Sequence, residues 1–287
     1  MEDTYVMNMK RLIALALALV LSLALAACGS GAAPSPSASA PAESAPTESA
    51  SAESDLDYVK GKGALVIGYT VYAPMNYTDD NGEFTGFDTE LAKAVCEKLG
   101  VEPQFQEIVW ETKEIELAGK TIDCIWNGMT LDPEREANMA CTVPYVKNAQ
   151  VVVMKADADY ADTSSLIGKS VCAEVGSAGE TQILGNEETK PDANLAQADY
   201  VGKSVQTDCL MEVAAGTCDA AVLDMTLANA MIGEGTDYAG LKIVDELAVE
   251  NYGVAFRQGS DVRDAVNEIF AEMVADGSLG ALADKYG

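Results

Sequence analysis

The residues best suited to chemistry lie in one short segment, Trp126-Asn127-Gly128-Met129-Thr130-Leu131-Asp132-Pro133-Glu134-Arg135. It runs off an apolar strand end into a helix start, for which Asp132 suits the N-cap and Pro133 the first helical position. Gly128 has no Cβ, so backbone can approach a ligand closely there. Thr130 offers a hydroxyl and an amide N–H. Arg135 offers a planar fork that matches a carboxylate through two parallel hydrogen bonds. Spacing alone leaves two roles open for Arg135: a carboxylate receptor, or a solvated helix charge paired with Glu134 or Glu136. A second segment, Ser177-Ala178-Gly179-Glu180, has capping-box form and opens another helix.

Other chemistry is excluded by composition. The chain contains no histidine, which removes Ser-His-Asp and Cys-His nucleophile pairs, His-ligated zinc and any imidazole base. Cys96, Cys124, Cys141, Cys172, Cys209 and Cys218 make no C-x-x-C pair, so no metal or other cofactor is expected. Several of these cysteines sit inside apolar runs and read as buried free thiols; Cys209–Cys218 is the first pairing to check. The Asp79-Asp80-Asn81-Gly82-Glu83 stretch lacks the ligand spacing of a calcium loop. A net charge of −28 repels phosphate backbones and anionic headgroups, so neither nucleic-acid binding nor electrostatic membrane docking is expected.

The elements that must position these residues alternate along the chain. Ala64–Gly68, Phe105–Val109 and Ile122–Trp126 read as strands. Asp79–Glu83 reads as a hairpin turn, with Asn-Gly supplying positive φ. Asp88 reads as the cap of a helix whose apolar positions are Leu91, Ala92, Val95, Cys96 and Leu99, ended by Gly100. A second set follows: strands at Val151–Met154, Ser170–Ala173, Ala220–Leu223 and Gly253–Phe256, helices from Ser177 and from about Thr226. A long helix at Asp261–Asp276 and a short one at Leu279–Lys285 close the chain. Strands alternating with helices argue an α/β fold with largely parallel sheets, and two such sets argue two lobes.

The N-terminal part is of another kind. Lys10 and Arg11 precede an apolar run, Leu12–Ala27, broken only by Ser22. It is short for a spanning helix and within signal-peptide range. The run ends in Leu25-Ala26-Ala27-Cys28-Gly29, which resembles a bacterial lipoprotein signal; the resemblance implies that Cys28 is lipidated and becomes the new N-terminus. The alternative is an ordinary secretory signal with an incidental cysteine. Residues 28–55 are Ala, Ser, Pro and Glu with little to bury, the composition of a disordered tether. Two acyl chains would hold such a protein stably at the bilayer. Residues 1–27 are charge-balanced and residues 28–55 carry only Glu43, Glu48, Glu53 and Asp55, so most of the negative charge belongs to the folded part.

Across residues 60–287 the chain resembles the solute-binding proteins of polar amino-acid ABC importers. The likeness rests on Gly68-Tyr69-Thr70-Val71-Tyr72-Ala73-Pro74-Met75, Thr85-Gly86-Phe87-Asp88-Thr89-Glu90-Leu91-Ala92 and the Asn127–Arg135 segment. It continues through Glu174-Val175-Gly176-Ser177-Ala178-Gly179-Glu180, Asp219–Asp224 and Tyr252–Phe256, in that order and spacing. The resemblance implies a two-lobed, type II periplasmic-binding-protein-like fold with a ligand cleft between the lobes and a two-strand hinge. It places lobe I at residues 56–147 plus 251–287 and lobe II at residues 148–250, with the hinge near Tyr145–Asn148 and Glu250–Tyr252. By the same resemblance, Arg135 takes the ligand α-carboxylate with Thr130 and the N–H groups near Ser177 and Ala178. Asp224 and the backbone around Asn127 and Gly128 take the α-ammonium, and Tyr72 and Trp110 flank the side chain. Asp224 also reads as a helix N-cap, and both aromatics as core.

Two positions depart from the family pattern. Tyr69 stands where an acidic side-chain reader is common, and Glu174 where glutamine binders carry lysine. A buried carboxylate at Glu174 favours a polar or basic amino acid, since an unpaired buried anion is costly. The implied partners are a free amino acid, an ABC permease and its ATPase, with the protein a membrane-anchored monomer outside the cytoplasm and not an enzyme. The fold also resembles that of cyclohexadienyl dehydratases and of receptor sensor domains. A dehydratase would have to use Glu174 and Asp224 as acid and base, for which the sequence shows no sign of tuning.

Overall fold

The computed structural model describes residues 54–286. Cys28, the signal segment and nearly all of the expected tether lie outside them. Asp55, expected as the last tether residue, instead opens helix α1 (Asp55–Lys62). Ser54 caps this helix by accepting from the Asp57 N–H, and Gly63 ends it in the left-handed conformation. Arg257 docks it, its Nε 2.9 Å from Asp55 and its Nη2 3.3 Å from Asp123.

The strands are β1 (Ala64–Tyr69), β2 (Tyr77–Thr78), β3 (Phe84–Thr85), β4 (Glu102–Glu107), β5 (Cys124–Thr130), β6 (Ala140–Cys141), β7 (Val146–Lys155), β8 (Ser170–Glu174), β9 (Asp199–Lys203), β10 (Ala220–Asp224) and β11 (Leu241–Phe256). The helices after α1 are α2 (Phe87–Leu99), α3 (Lys113–Ala118), α4 (Pro133–Asn138), α5 (Ala178–Leu184), α6 (Gln206–Ala215), α7 (Met225–Met231), α8 (Val262–Ala275) and α9 (Ser278–Tyr286). Nine strands form one sheet in the order β4-β1-β5-β11-β7-β10-β8-β9, with β6 joined to β11. Every residue of β5 and of β10 is buried, as expected of strands with both faces covered.

The sheet is parallel at its two ends and antiparallel in the middle. β1 runs parallel to β4 and β5, and β8 to β9 and β10, whereas β11 and β7 run antiparallel to each other and to their neighbours β5 and β10. The expectation of largely parallel sheets therefore fails at the centre. β11 is 16 residues long where only Gly253–Phe256 was expected. Its first part is partly exposed, and its register shifts between Ile243 and Asp245 and between Glu246 and Ala248, so no steady alternation marks it as a strand.

Two local expectations need correction. Helix α2 is capped at Gly86 (φ 126), not at Asp88; a Cβ at Gly86 would lie 2.1 Å from the Met75 carbonyl oxygen. Asp88 is buried within the first turn and used elsewhere. The β2–β3 hairpin is present, but only Gly82 has positive φ (82); Asn81 instead donates its backbone N–H and its side-chain amide to Asp79. The six cysteines of the described residues are all free, Cys209 and Cys218 included.

Candidate functional site

Strand β5 ends at Thr130 and turns into α4, whose N-cap Asp132 accepts from the Arg135 N–H at 2.9 Å with Pro133 in the first turn. This local geometry turns Arg135 inward. Its side chain is buried, and the guanidinium donates from Nη1 to the Thr130 carbonyl and from Nη2 to the Gly176 carbonyl, each at 3.0 Å. Nε lies 3.3 Å from Asp132. The solvated pairing with Glu134 or Glu136 is not adopted.

Arg135 lines a small cavity with Trp110, Asn127, Gly128, Thr130, Glu174, Ser177, Ala178, Gln206 and Asp224. The space at its centre is about 10 Å³, room for about one water molecule. Strands from both ends of the sheet deliver these residues: Asn127, Gly128 and Thr130 on β5, Glu174 at the end of β8 and Asp224 at the end of β10. Asn127 is also a structural tie, since its Oδ1 accepts the Thr70 N–H at 2.5 Å and its Nδ2 donates to the Thr70 hydroxyl at 3.0 Å. Ser177 caps α5 by accepting from the Glu180 N–H at 3.2 Å, but the Glu180 carboxylate reaches back to the Gly176 N–H at 2.7 Å rather than to Ser177 itself.

The two tyrosines are placed differently. Tyr72 lies behind Gly128: a Cβ on Gly128 would meet Tyr72 Cε1 at 2.7 Å. Its hydroxyl bonds Thr226, and Tyr252 at 2.6 Å. Tyr69 does not line the cavity. Its ring packs against Phe84 at 4.7 Å and Phe105 at 6.2 Å between centroids, because it leaves β1 on the aromatic side of the strand.

Asp224 does not cap α7 through its side chain. One oxygen accepts from Asn148 at 2.8 Å and Gln150 at 2.5 Å, and the other from Gln206. Burial raises its pKa, opposed by the hydrogen bonds from Gln206 and Gln150. Glu174 is buried with Oε1 unpartnered. Burial first, then the charge of Asp224, pushes its carboxyl up to about 8, against the pull of Lys113, Gln206 and Arg135. Burial thus shifts both carboxyls towards the protonated form, and among the described residues Asp224 accepts only from neutral side chains.

Sequence reasoning missed four contributors. Gln206 faces the cavity from α6. Gln150 and Asn148 hold Asp224 from β7. Lys113 is buried against the Trp110 ring, 4.8 Å from its centroid, and donates to the Gly176 carbonyl at 3.0 Å. Burial, then Arg135, pushes the Lys113 ammonium down to about 8. No local signal marks Lys113, which stands in sequence among Glu111, Glu114 and Glu116. The Asn148-x-Gln150 polar pair inside an apolar strand was the legible clue to the other two.

The arrangement sets two cations, Arg135 and Lys113, against buried carboxylates at Glu174 and Asp224. That is chemistry for gripping a small molecule bearing both an anionic and a cationic group. No helix among the described residues is long and apolar enough to cross a membrane.

Comparison with known proteins agrees. Residues 65–287 match the model for bacterial extracellular solute-binding proteins, family 3. The chain is 29% identical over 228 residues to the arginine-binding extracellular protein ArtP of Bacillus subtilis, covering 79% of this chain and 87% of that protein. An ABC uptake transporter substrate-binding protein from Streptococcus pneumoniae, solved with bound histidine, superposes with a TM-score of 0.70 at 29% identity, covering 80% of this chain and 95% of that one. The ancestral amino acid-binding protein AncCDT-1, a precursor of cyclohexadienyl dehydratase, gives 0.71 at 28% identity, covering 81% and 99%. The fold is thus the two-lobed α/β type II periplasmic-binding-protein-like architecture, and the chain belongs to the family 3 extracellular solute-binding proteins, the group that binds polar amino acids.

Proposed function

We propose that this protein captures a polar amino acid, with preference for a basic one, outside the cytoplasm and delivers it to an ABC permease and its ATPase. The observation that carries the reading is the opposition of Arg135 and Asp224 across one cavity. Arg135, with Thr130 and Ser177, receives the α-carboxylate, and Asp224 the α-ammonium. Trp110 flanks the side chain with Tyr72 behind, and Glu174 reads its far end. The unpartnered oxygen of Glu174 supports a ligand side chain that donates a hydrogen bond or carries positive charge. The arginine named for ArtP and the histidine bound to the pneumococcal protein point the same way.

Lobe I comprises residues 56–147 and 251–287, and lobe II residues 148–250. They hinge where Asn148 pairs with Glu250, Lys147 with Asn251 and Val146 with Tyr252. Ligand contacts from both lobes favour the closed form. Cys28 carries the lipid that retains the protein at the membrane as a monomer. Cys28→Ala should release it into the medium.

The decisive experiment is a calorimetric titration of the twenty amino acids on refolded, ligand-free protein. Arginine or lysine should bind most tightly; a largest response to leucine or glutamate removes the preference. One observation favours a second reading, a dehydratase: the likeness to AncCDT-1, a precursor of cyclohexadienyl dehydratase, with Glu174 and Asp224 buried side by side in the cavity as an acid and a base would have to be. Turnover of prephenate or arogenate by the purified protein would support it over capture alone.

A further inference from the structure

Strand β7 lies between β11 and β10, and its Asn148 and Gln150, two residues apart, share one face. In register, Asn148 opposes Glu250 on β11 and Gln150 opposes Asp224 on β10. Both amides serve both carboxylates. Asn148 Nδ2 lies 2.8 Å from Asp224 Oδ1 and 2.6 Å from Glu250 Oε1. Gln150 Nε2 lies 2.5 Å from Asp224 Oδ1 and 2.9 Å from Glu250 Oε1. Two carboxylates that share the same two donors must sit against each other.

The remaining neighbours bring no positive charge. Thr130 donates its hydroxyl to Glu250 at 2.9 Å, and Gln206 donates to the far oxygen of Asp224. Tyr72 and Tyr252 face the pair as neutral phenols, each with a pKa pushed well up by burial and by Asp224. Glu174 adds a third acid from β8. Arg135 and Lys113 are turned to the Gly176 carbonyl, and among the described residues neither bonds Asp224 or Glu250. Like charges this close, bonded only by neutral donors, do not both ionise readily.

Resting on the amino-acid reading above, we propose that Asp224 and Glu250 act as one paired acid that holds a single proton in the ligand-free protein and releases it when an ammonium settles against Asp224. Glu250, placed by the sequence only at the hinge, is then a binding determinant that acts through Asp224. The O–H bond of the pair breaks, its proton passes to solvent, and the incoming ammonium takes over the neutralising charge. Glu174, which meets only the far end of the guest, gives up a proton of its own only where that end is cationic. The direction of titration agrees: burial and the charge of Asp224 push Glu250 up to about 7, against the hydrogen bonds from Gln150, Asn148 and Thr130.

Proton linkage is the test. Ligand-free protein is titrated calorimetrically with L-arginine, or with whichever of the twenty amino acids binds more tightly, in buffers of different ionisation enthalpy. At pH 6 the wild type should release close to one proton more per ligand than folded Glu250→Gln. Its affinity should rise with pH by up to about tenfold per unit on the acid side of the pair's titration and flatten above it. Glu250→Gln should lose most of that slope, and Glu250→Asp should keep it. Thermal melts of each variant establish that it is folded. Binding by the wild type without proton release, or an unchanged proton count in folded Glu250→Gln, overturns the paired acid while leaving amino-acid capture intact. Failure of all twenty amino acids to bind overturns both.

Discussion

The carboxylate of Asp88 accepts the amide proton of Gly128 at 2.6 Å. Its other oxygen accepts the Tyr145 hydroxyl at 2.8 Å, so a helix buried under the sheet holds the cavity-lining turn of β5 in place. Gly128 has φ 57, and a Cβ there would meet Tyr72 at 2.7 Å and Tyr252 at 3.1 Å. Gly128→Ala should therefore cost about 1–3 kcal/mol from backbone strain alone. Asp88→Ala, which leaves a buried N–H unpaired, should cost about 1–3 kcal/mol. Urea denaturation of each variant checks both.

Stability should rise on mild acidification. Asp88 is pushed up to about 7 by burial, Glu250 to about 7 and Glu174 to about 8. Each binds its proton more tightly folded than unfolded, so each contributes stability that is complete below its ordinary carboxylate pKa and is lost as pH rises through its folded value. The ligand-free protein should melt higher at pH 5 than at pH 8. In the opposite direction, Asp219 and Asp261 are held below the ordinary range by hydrogen bonds, and their stabilisation is lost as pH falls through it. A melting temperature that falls steadily from pH 8 to pH 5 would contradict this account.

Arg135→Ala should weaken amino-acid binding about hundredfold or more, since removing one side of a buried charge pair leaves the ligand carboxylate without its partner. Arg135→Lys should recover only part of the loss, because an ammonium cannot reproduce the fork. Calorimetry on both variants measures the difference.

Glu174→Gln should narrow the discrimination between arginine and citrulline, which share a shape and differ in charge. A factor of about tenfold is expected from exchanging a charge-assisted hydrogen bond for a neutral one. Parallel titrations of the two ligands on wild type and variant decide it.

What was legible in the sequence follows from where each signal is encoded. Asp132-Pro133 is a local capping signal that marks where α4 begins, although spacing alone left the direction of Arg135 open. Ser177 and Gly128 likewise declare themselves through rules spanning a few residues. Glu250, Gln150 and Asn148 converge on Asp224 only through the register of three strands, which no local window contains. Tyr69 failed for a related reason: its side chain follows the alternation of β1 into Phe84 and Phe105. Asp88 imitated a helix cap because an acid near a helix start usually is one; its true partner is forty residues away on β5. The early part of β11 was hidden by its two register shifts.

The Gly176 carbonyl is held by Arg135 and Lys113 together, while the Asp132 carboxylate holds only the Nε side of the guanidinium. A guest that docks its own carboxylate there trades places with a peptide oxygen instead of meeting a naked guanidinium. The gain at that end is only the difference between two acceptors, and it is the same for every amino acid, since all bring an identical head group. Selectivity must then arise at the opposite end of the guest.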